Sequence, residues 1–146
     1  MIGLVQCVAR KRAGVHRAED LYCSPWFRKA RAYAEASCDR RFILSGKHGL
    51  LAPGAVISRY NVTLNRMSAE AWRAWGARVA KQLRRVCRAG DRVVVLAGAR
   101  YREHVLPALR ARGCRVEVPM RGLGIGRQLR WLGRASSSAR GRGSER

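Results

Sequence analysis

Residues 42–64 read Phe42-Ile-Leu-Ser-Gly-Lys-His-Gly-Leu-Leu-Ala-Pro-Gly-Ala-Val-Ile-Ser-Arg-Tyr-Asn-Val-Thr-Leu64. An apolar run at residues 42–44 ends abruptly in Ser45, Lys47 and His48, and a Gly/Pro-punctuated stretch then leads to Tyr60 and Asn61. The run is a buried strand. Polar side chains at the C-terminal end of such a strand are where open α/β sheets hold their ligands. The residues 45–64 form a loop of about 20 residues, a length that in a compact domain signals function or short helical turns.

The pattern extends in both directions. Residues 2–7 form a second buried strand and exit into a basic, turn-forming loop. Ser24-Pro25 opens a helix, with Ser capping free amides and Pro at the first helical position. Trp26, Phe27, Ala30, Tyr33 and Ala34 keep helical spacing to about Ser37. Ser68 caps a further helix carrying the stripe Trp72, Trp75, Val79, Leu83 and Val86, and Gly90 ends it. Three consecutive valines mark residues 92–96 as a strand buried on both faces. A helix covers about 100–112, stopped by Gly113, and Val116 and Val118 alternate with charge as an edge strand. A short last helix carries Ile125, Leu129 and Leu132.

Strand–helix alternation predicts an α/β three-layer sandwich. Its mainly parallel sheet has four strands, in the order 2-1-3-4, with helices on both faces. The 146 residues make one domain, 1–132, followed by a Gly/Ser/Arg tail, 133–146, expected to be disordered. The C-terminal ends of the first three strands then converge on one rim. It gathers Cys7 and Lys11, then Ser45, Lys47 and His48, then Gly98, Arg100 and Tyr101.

Charge narrows the partners. Lys and Arg number 31 against nine Asp and Glu, for a net charge of +22. Such a chain binds polyanions through counterion release, although the strong preference for Arg over Lys also fits a GC-rich coding sequence. Most of the charge lies within residues 1–132. The expected partner is nucleic acid or a nucleotide. No apolar run approaches the ~18–20 residues of a bilayer span. Residues 1–8 carry neither the basic lead nor the cleavage site of a signal peptide, so a cytoplasmic protein without a membrane partner is expected. The five cysteines form no Cys-x-x-Cys pair and match no zinc spacing, and they read as reduced thiols. No cofactor and no metal is expected, because the carboxylates are scattered rather than clustered as a metal-dependent nuclease requires.

Individual residues suggest roles. His48 is the best general acid/base by its near-neutral pKa, Ser45 both donates and accepts hydrogen bonds, and Lys47 can hold a phosphate. The plain alternative is a turn whose glycines serve the backbone. Tyr60 can stack on a base and Asn61 can read a base edge. Lys11 can contact phosphate or, if desolvated, act as a nucleophile, and a Cys7 thiolate would be reactive beside cations. Arg100 and Tyr101 open a helix whose N-terminus favours anions. Asp20 is the one carboxylate with a route to the rim. Gly122-Leu-Gly-Ile-Gly126 has the wrong spacing for a dinucleotide fingerprint and reads as a turn into a helix.

Taken together, Cys7 and Lys11, Asp20-Leu-Tyr-Cys-Ser-Pro-Trp-Phe27, Ile43-Leu-Ser-Gly-Lys-His-Gly-Leu-Leu-Ala-Pro53, Tyr60-Asn-Val-Thr-Leu64, Leu96-Ala-Gly-Ala-Arg-Tyr101 and Gly122-Leu-Gly-Ile-Gly-Arg-Gln-Leu129 resemble a small bacterial and phage domain family of unknown function. The likeness covers nearly all of residues 2–132. The family is in turn distantly similar to the lysine-transferring core of archaeosine synthase and to the uracil-DNA glycosylase superfamily. That resemblance implies a nucleobase pocket shaped by Cys7, Lys11, Ser45, Gly49, Pro53 and Tyr60. The sequence departs from glycosylases in lacking both a water-activating Asp or Asn just after strand one and a late His-Pro-Ser motif.

The resulting expectation is a nucleobase- or nucleotide-recognising domain acting on nucleic acid, as a glycosylase-like or base-modifying enzyme. His48, Ser45 and Asp20 would be catalytic. Cys7, Lys11, Lys47, Gly49, Pro53, Tyr60, Asn61, Arg100 and Tyr101 would bind substrate. A non-catalytic nucleic-acid-binding module and a free-nucleotide hydrolase or sensor remain the alternatives.

Overall fold

The computed structural model describes residues 1–144, with side chains up to residue 139. Five strands form the main sheet: β1 (Ile2–Gln6), β3 (Arg40–Ser45), β4 (Gly49–Leu51), β6 (Arg92–Leu96) and β7 (Arg115–Glu117). Their order is β4-β3-β1-β6-β7. β1 pairs in parallel with β3 and β6, and β6 in parallel with β7. The four parallel strands thus lie in the order read from the sequence. The sheet is nevertheless mixed and five-stranded, not four-stranded, because β4 folds back antiparallel on β3 with Ser45 opposite Gly49.

Central position explains composition. β1 is Ile-Gly-Leu-Val-Gln, apolar on both faces until its last residue. β6 has Val93, Val94, Val95 and Leu96 all buried. Four longer helices flank the sheet: α2 (Pro25–Ser37), α3 (Ala69–Val86), α4 (Ala99–Ala111) and α5 (Ile125–Ser144). α2 packs on α5, and α3 on α4. Right-handed crossovers put these two pairs on opposite faces, since the chain leaves β1 in one direction and returns past it in the other. Ser24 and Ser68 cap α2 and α3 by accepting the backbone N–H of Phe27 and Ala71.

Two departures from the sequence reading matter. α5 runs well beyond residue 132, through part of the stretch expected to be a disordered tail. Leu132, Ser136 and Ala139 are buried at a spacing of one helical turn, so small residues extend the apolar face. Residues 145–146 of that expected tail lie outside the described residues. The stretch 45–64 is not one open loop. It holds β4, then β5 (Val56–Ser58), then a 3-10 turn at Leu64–Arg66. β5 pairs antiparallel with β2 (Val15–Arg17), and a short helix α1 (Ala18–Leu21) follows β2. α1 packs against both strands of this ribbon, and the 3-10 turn against α4.

Candidate functional site

The turn after β3 is a hairpin turn. Gly46, Lys47 and His48 connect β3 to β4, and Gly49 takes a positive φ of 70°. A three-residue hairpin closed by a left-handed glycine is a standard geometry. A Cβ on Gly49 would also collide with the Gln82 side chain. Ser45 is fully buried. Its Oγ accepts the His48 backbone N–H at 3.1 Å and lies 2.7 Å from the Tyr60 hydroxyl. Its carbonyl accepts the Trp75 indole N–H at 2.9 Å. Gln82 accepts the Leu50 N–H at 2.8 Å, and Arg78 donates to the Lys47 carbonyl. Helix α3 therefore grips the hairpin backbone through three side chains.

Tyr60 joins this hairpin to the first loop. Its hydroxyl lies 2.5 Å from that of Tyr22. Burial drives both phenols upward, Tyr22 to about 12. The result is a buried chain, Tyr22–Tyr60–Ser45, that stays protonated. The Lys11 amine stands over the rings of Tyr60 and Tyr22, at 4.6 and 5.8 Å from their centroids. Burial lowers its pKa, and the charge of Arg59 pushes the same way against Cys7. The backbone around Lys11 is held by a bridge to Tyr22, by Arg12 N–H to Leu21 O at 2.8 Å and by Cys23 N–H to Arg10 O at 3.1 Å.

A cavity of about 540 Å3 opens at the end of β1. Cys7, Lys11, Asn61 and Tyr101 line it, as do Gln6, Thr63, Asn65 and Arg66. The Cys7 sulfur lies 3.4 Å from the Tyr101 hydroxyl, and burial raises the Tyr101 pKa. A second cavity of about 480 Å3 adjoins the first across Gln6 and Val8 and reaches Trp26, Arg102, Met120 and Gln128. Between them Gln6 accepts the Gly98 N–H at 2.7 Å. β1 is the strand from which the chain turns first to β3 and later to β6. The cavities therefore sit at the topological switch point, where open sheets bind ligands.

The structure sorts the expected residues. Cys7, Lys11, Asn61 and Tyr101 meet in one cavity. Ser45 and Tyr60 are buried behind it and hold the fold. His48 does not line the cavity. Its ring meets Tyr60 edge-on with centroids 5.4 Å apart, and burial, Lys47 and Arg78 lower its pKa. Lys47 is exposed, with its amine 6.0 Å from the Tyr60 ring centroid. Asp20 is exposed and paired with Arg31 at 2.9 Å, away from the cavity. The buried acid is its neighbour Glu19, whose carboxylate meets Arg41 at 2.5 Å, Arg17 at 3.2 Å and Arg31 at 3.5 Å. Pro53 serves this cluster by accepting the Glu19 N–H at 2.9 Å. Gly49 is a turn residue. Arg100 lies 4.1 Å from the Trp72 ring centroid and donates to the Leu64 carbonyl at 3.4 Å, so it fastens the 3-10 turn to α4.

Gln6, Thr63, Asn65 and Arg66 were not singled out from sequence. Gln6 carried a signal, being the one polar residue of β1. The other three follow Asn61 on the same connection. Among the described residues, no three His, Cys, Asp or Glu side chains converge as a metal site would require, and no helix is long and apolar enough to cross a membrane.

Fold and cleft together define an open-sheet α/β protein with a polar cavity at its switch point. The chain belongs to the family of unknown function DUF6884, whose profile matches residues 2–134. It is similar to the uncharacterised protein YfjM of Bacillus subtilis (strain 168), with 35% identity over 130 residues, covering 84% of this chain and 82% of the relative.

Proposed function

We propose that this domain recognises a nucleobase within a nucleic acid strand, taking the base into the cavity at the end of β1. The observation that carries the reading is the lining of that cavity. Asn61, Asn65, Thr63 and Gln6 offer the paired donors and acceptors that read a base edge. Arg66 offers a cation for a flanking phosphate, Lys11 adds an amine, and among the described residues no carboxylate lines the cavity. Its volume falls within the roughly 300–1,000 Å3 of small-ligand sites. A base reaches such a cavity from a single strand or by leaving a duplex.

The surrounding charge supports a polyanionic partner. Arg17, Arg31, Arg41 and Arg92 meet side-chain carboxylates. With 31 basic residues against nine acidic ones, most cations have no carboxylate to meet. The resemblance to uracil-DNA glycosylases and to the archaeosine synthase core points the same way.

A second reading, a binding module without turnover, draws on a different observation. His48, Ser45 and Asp20, the side chains suited to activating water, all lie outside the cavity. One experiment separates the readings. The protein is incubated with modified and unmodified DNA, RNA and nucleotides, and released bases are read by mass spectrometry alongside oligonucleotide binding at several salt concentrations. Base release supports an enzyme. Salt-sensitive binding without release supports the module. Tight, salt-insensitive binding of free nucleotides alone overturns both.

A further inference from the structure

Resting on the nucleobase reading above, we propose that Lys11 is an amine nucleophile whose Nζ forms an imine with the aldehyde of a base-free sugar, the open-chain deoxyribose of an abasic site. Lys29, Lys47 and Lys81 are exposed, whereas Lys11 is half-buried and lines the cavity. Among the described residues no carboxylate pairs with it, and its amine donates only to the Ala9 carbonyl at 3.3 Å. Its floor is the ring of Tyr60, whose hydroxyl is already committed to Tyr22 and Ser45. Hydrogen bonds on both sides of Lys11, with the bridge to Tyr22, fix where the side chain starts. A fixed, partly desolvated lysine without an anionic partner populates its neutral form more than a solvated one does. Only that form is nucleophilic.

The step balances without an added reagent. The Nζ lone pair adds to the C1′ carbonyl carbon, and the carbonyl oxygen becomes the hydroxyl of a carbinolamine. Loss of that hydroxyl as water leaves a carbon–nitrogen double bond, and both protons of the neutral amine depart in the water. Hydrolysis reverses the step. Attack by the neutral amine needs no general base, which suits a cavity that, among the described residues, neither carboxylate nor imidazole lines. Asn61 and Thr63 would face the empty base position, and Arg66 a neighbouring phosphate.

The full chain is incubated with an oligonucleotide carrying one abasic site in the presence of cyanoborohydride, which reduces an imine to a stable secondary amine. Peptide mass mapping of the wild-type adduct locates the modified residue without relying on any variant. The expected result is a cross-link on Lys11. Lys11→Arg should lower cross-linking by about tenfold or more by removing the neutral amine, and Lys29→Arg should retain it. An adduct spread over Lys29, Lys47, Lys81 and the α-amine overturns the proposal, as does undiminished cross-linking in Lys11→Arg. Fluorescence anisotropy with the same oligonucleotide, without reductant, separates the two levels. Binding without a Lys11 adduct overturns this inference and leaves the nucleobase reading standing. Absence of binding overturns both.

Discussion

The hydroxyl of Ser45 lies 2.7 Å from that of Tyr60, in the core and behind the cavity. This contact ties the end of β3 to the start of the 60–66 connection, which carries Asn61, Thr63, Asn65 and Arg66 to the cavity wall. Ser45 is thus an anchor, and the cavity depends on it indirectly.

Removing that anchor should cost stability. Ser45→Ala leaves the His48 N–H without its side-chain acceptor and takes one partner from the Tyr60 hydroxyl. Unsatisfied buried groups cost about 1–3 kcal/mol each. A melting midpoint lowered by several degrees is expected in thermal denaturation, with Tyr60→Phe lowered similarly. Wild-type stability in both variants would remove the anchoring role.

Glu19 should matter more than Asp20. Glu19 is buried under three guanidinium groups, while Asp20 is exposed with one. Glu19→Gln weakens charge-assisted hydrogen bonds, and a loss of about 2 kcal/mol follows. Asp20→Asn breaks an exposed pair and should change stability by less than about 1 kcal/mol. Urea denaturation of both variants checks the ranking, and equal effects would contradict it.

Acid should destabilise the fold through two histidines. Burial lowers the pKa of both His48 and His104 below the ordinary 6.5. The unfolded chain therefore takes up protons first as pH falls. Their contribution is fully present above about pH 6.5 and is lost as pH falls through their folded values. Among the described residues the buried His104 Nε2 has no hydrogen-bond partner. His104→Gln should flatten the fall in melting temperature between neutral and mildly acidic pH, measured by circular dichroism. An unchanged slope would assign the acid sensitivity elsewhere.

The same histidine explains Gly76. A Cβ there would overlap the His104 ring, because α3 and α4 approach closely at that point. Gly76→Ala should destabilise by about 1–3 kcal/mol through overpacking, despite alanine's better helix propensity. Gly76→Ala combined with His104→Ala should recover part of the loss, since contacting residues are not additive. A fully additive double variant would show that the two do not conflict.

Ligand binding should track the cavity and not the whole rim. Asn61→Ala removes a base-edge reader, and about 1–3 kcal/mol of discrimination between bases should go with it. Asp20→Ala, outside the cavity, should leave oligonucleotide affinity unaffected. Fluorescence anisotropy with oligonucleotides differing at one base tests both. Loss of binding in Asp20→Ala with none in Asn61→Ala would move the site elsewhere.

Much of the fold was legible because burial is written locally. The Val93–Val95 run, the Ser24-Pro25 and Ser68 caps and the α3 stripe each encode an element within a few residues. β1 and β6 followed from apolar runs buried on both faces, and the expected order 2-1-3-4 matches that of the four parallel strands. The five-stranded mixed sheet did not follow. β4 is only Gly49–Leu51, and its strand state exists through pairing with β3. The β2–β5 ribbon likewise needs partners about 40 residues apart in the chain, a kind of contact that local pattern does not carry. The extension of α5 was hidden by Ala and Ser, whose composition resembles a tail and whose burial depends on α2.

The candidate site divides along the same line. Sequence alone determined that β1 and β3 exit onto one rim, that the chain is strongly basic, that Cys7 and Lys11 stand near a strand exit, and that Asn61 closes the loop after β3. Tertiary structure decided which of them share a cavity. Ser45 and His48 follow directly from a buried strand, as a catalytic pair would, yet the Gly46–His48 turn and the grip of Trp75 and Gln82 fold them into the hairpin. Whether a polar side chain faces the core or a cleft depends on hydrogen bonds made across the fold, and those partners are distant in sequence.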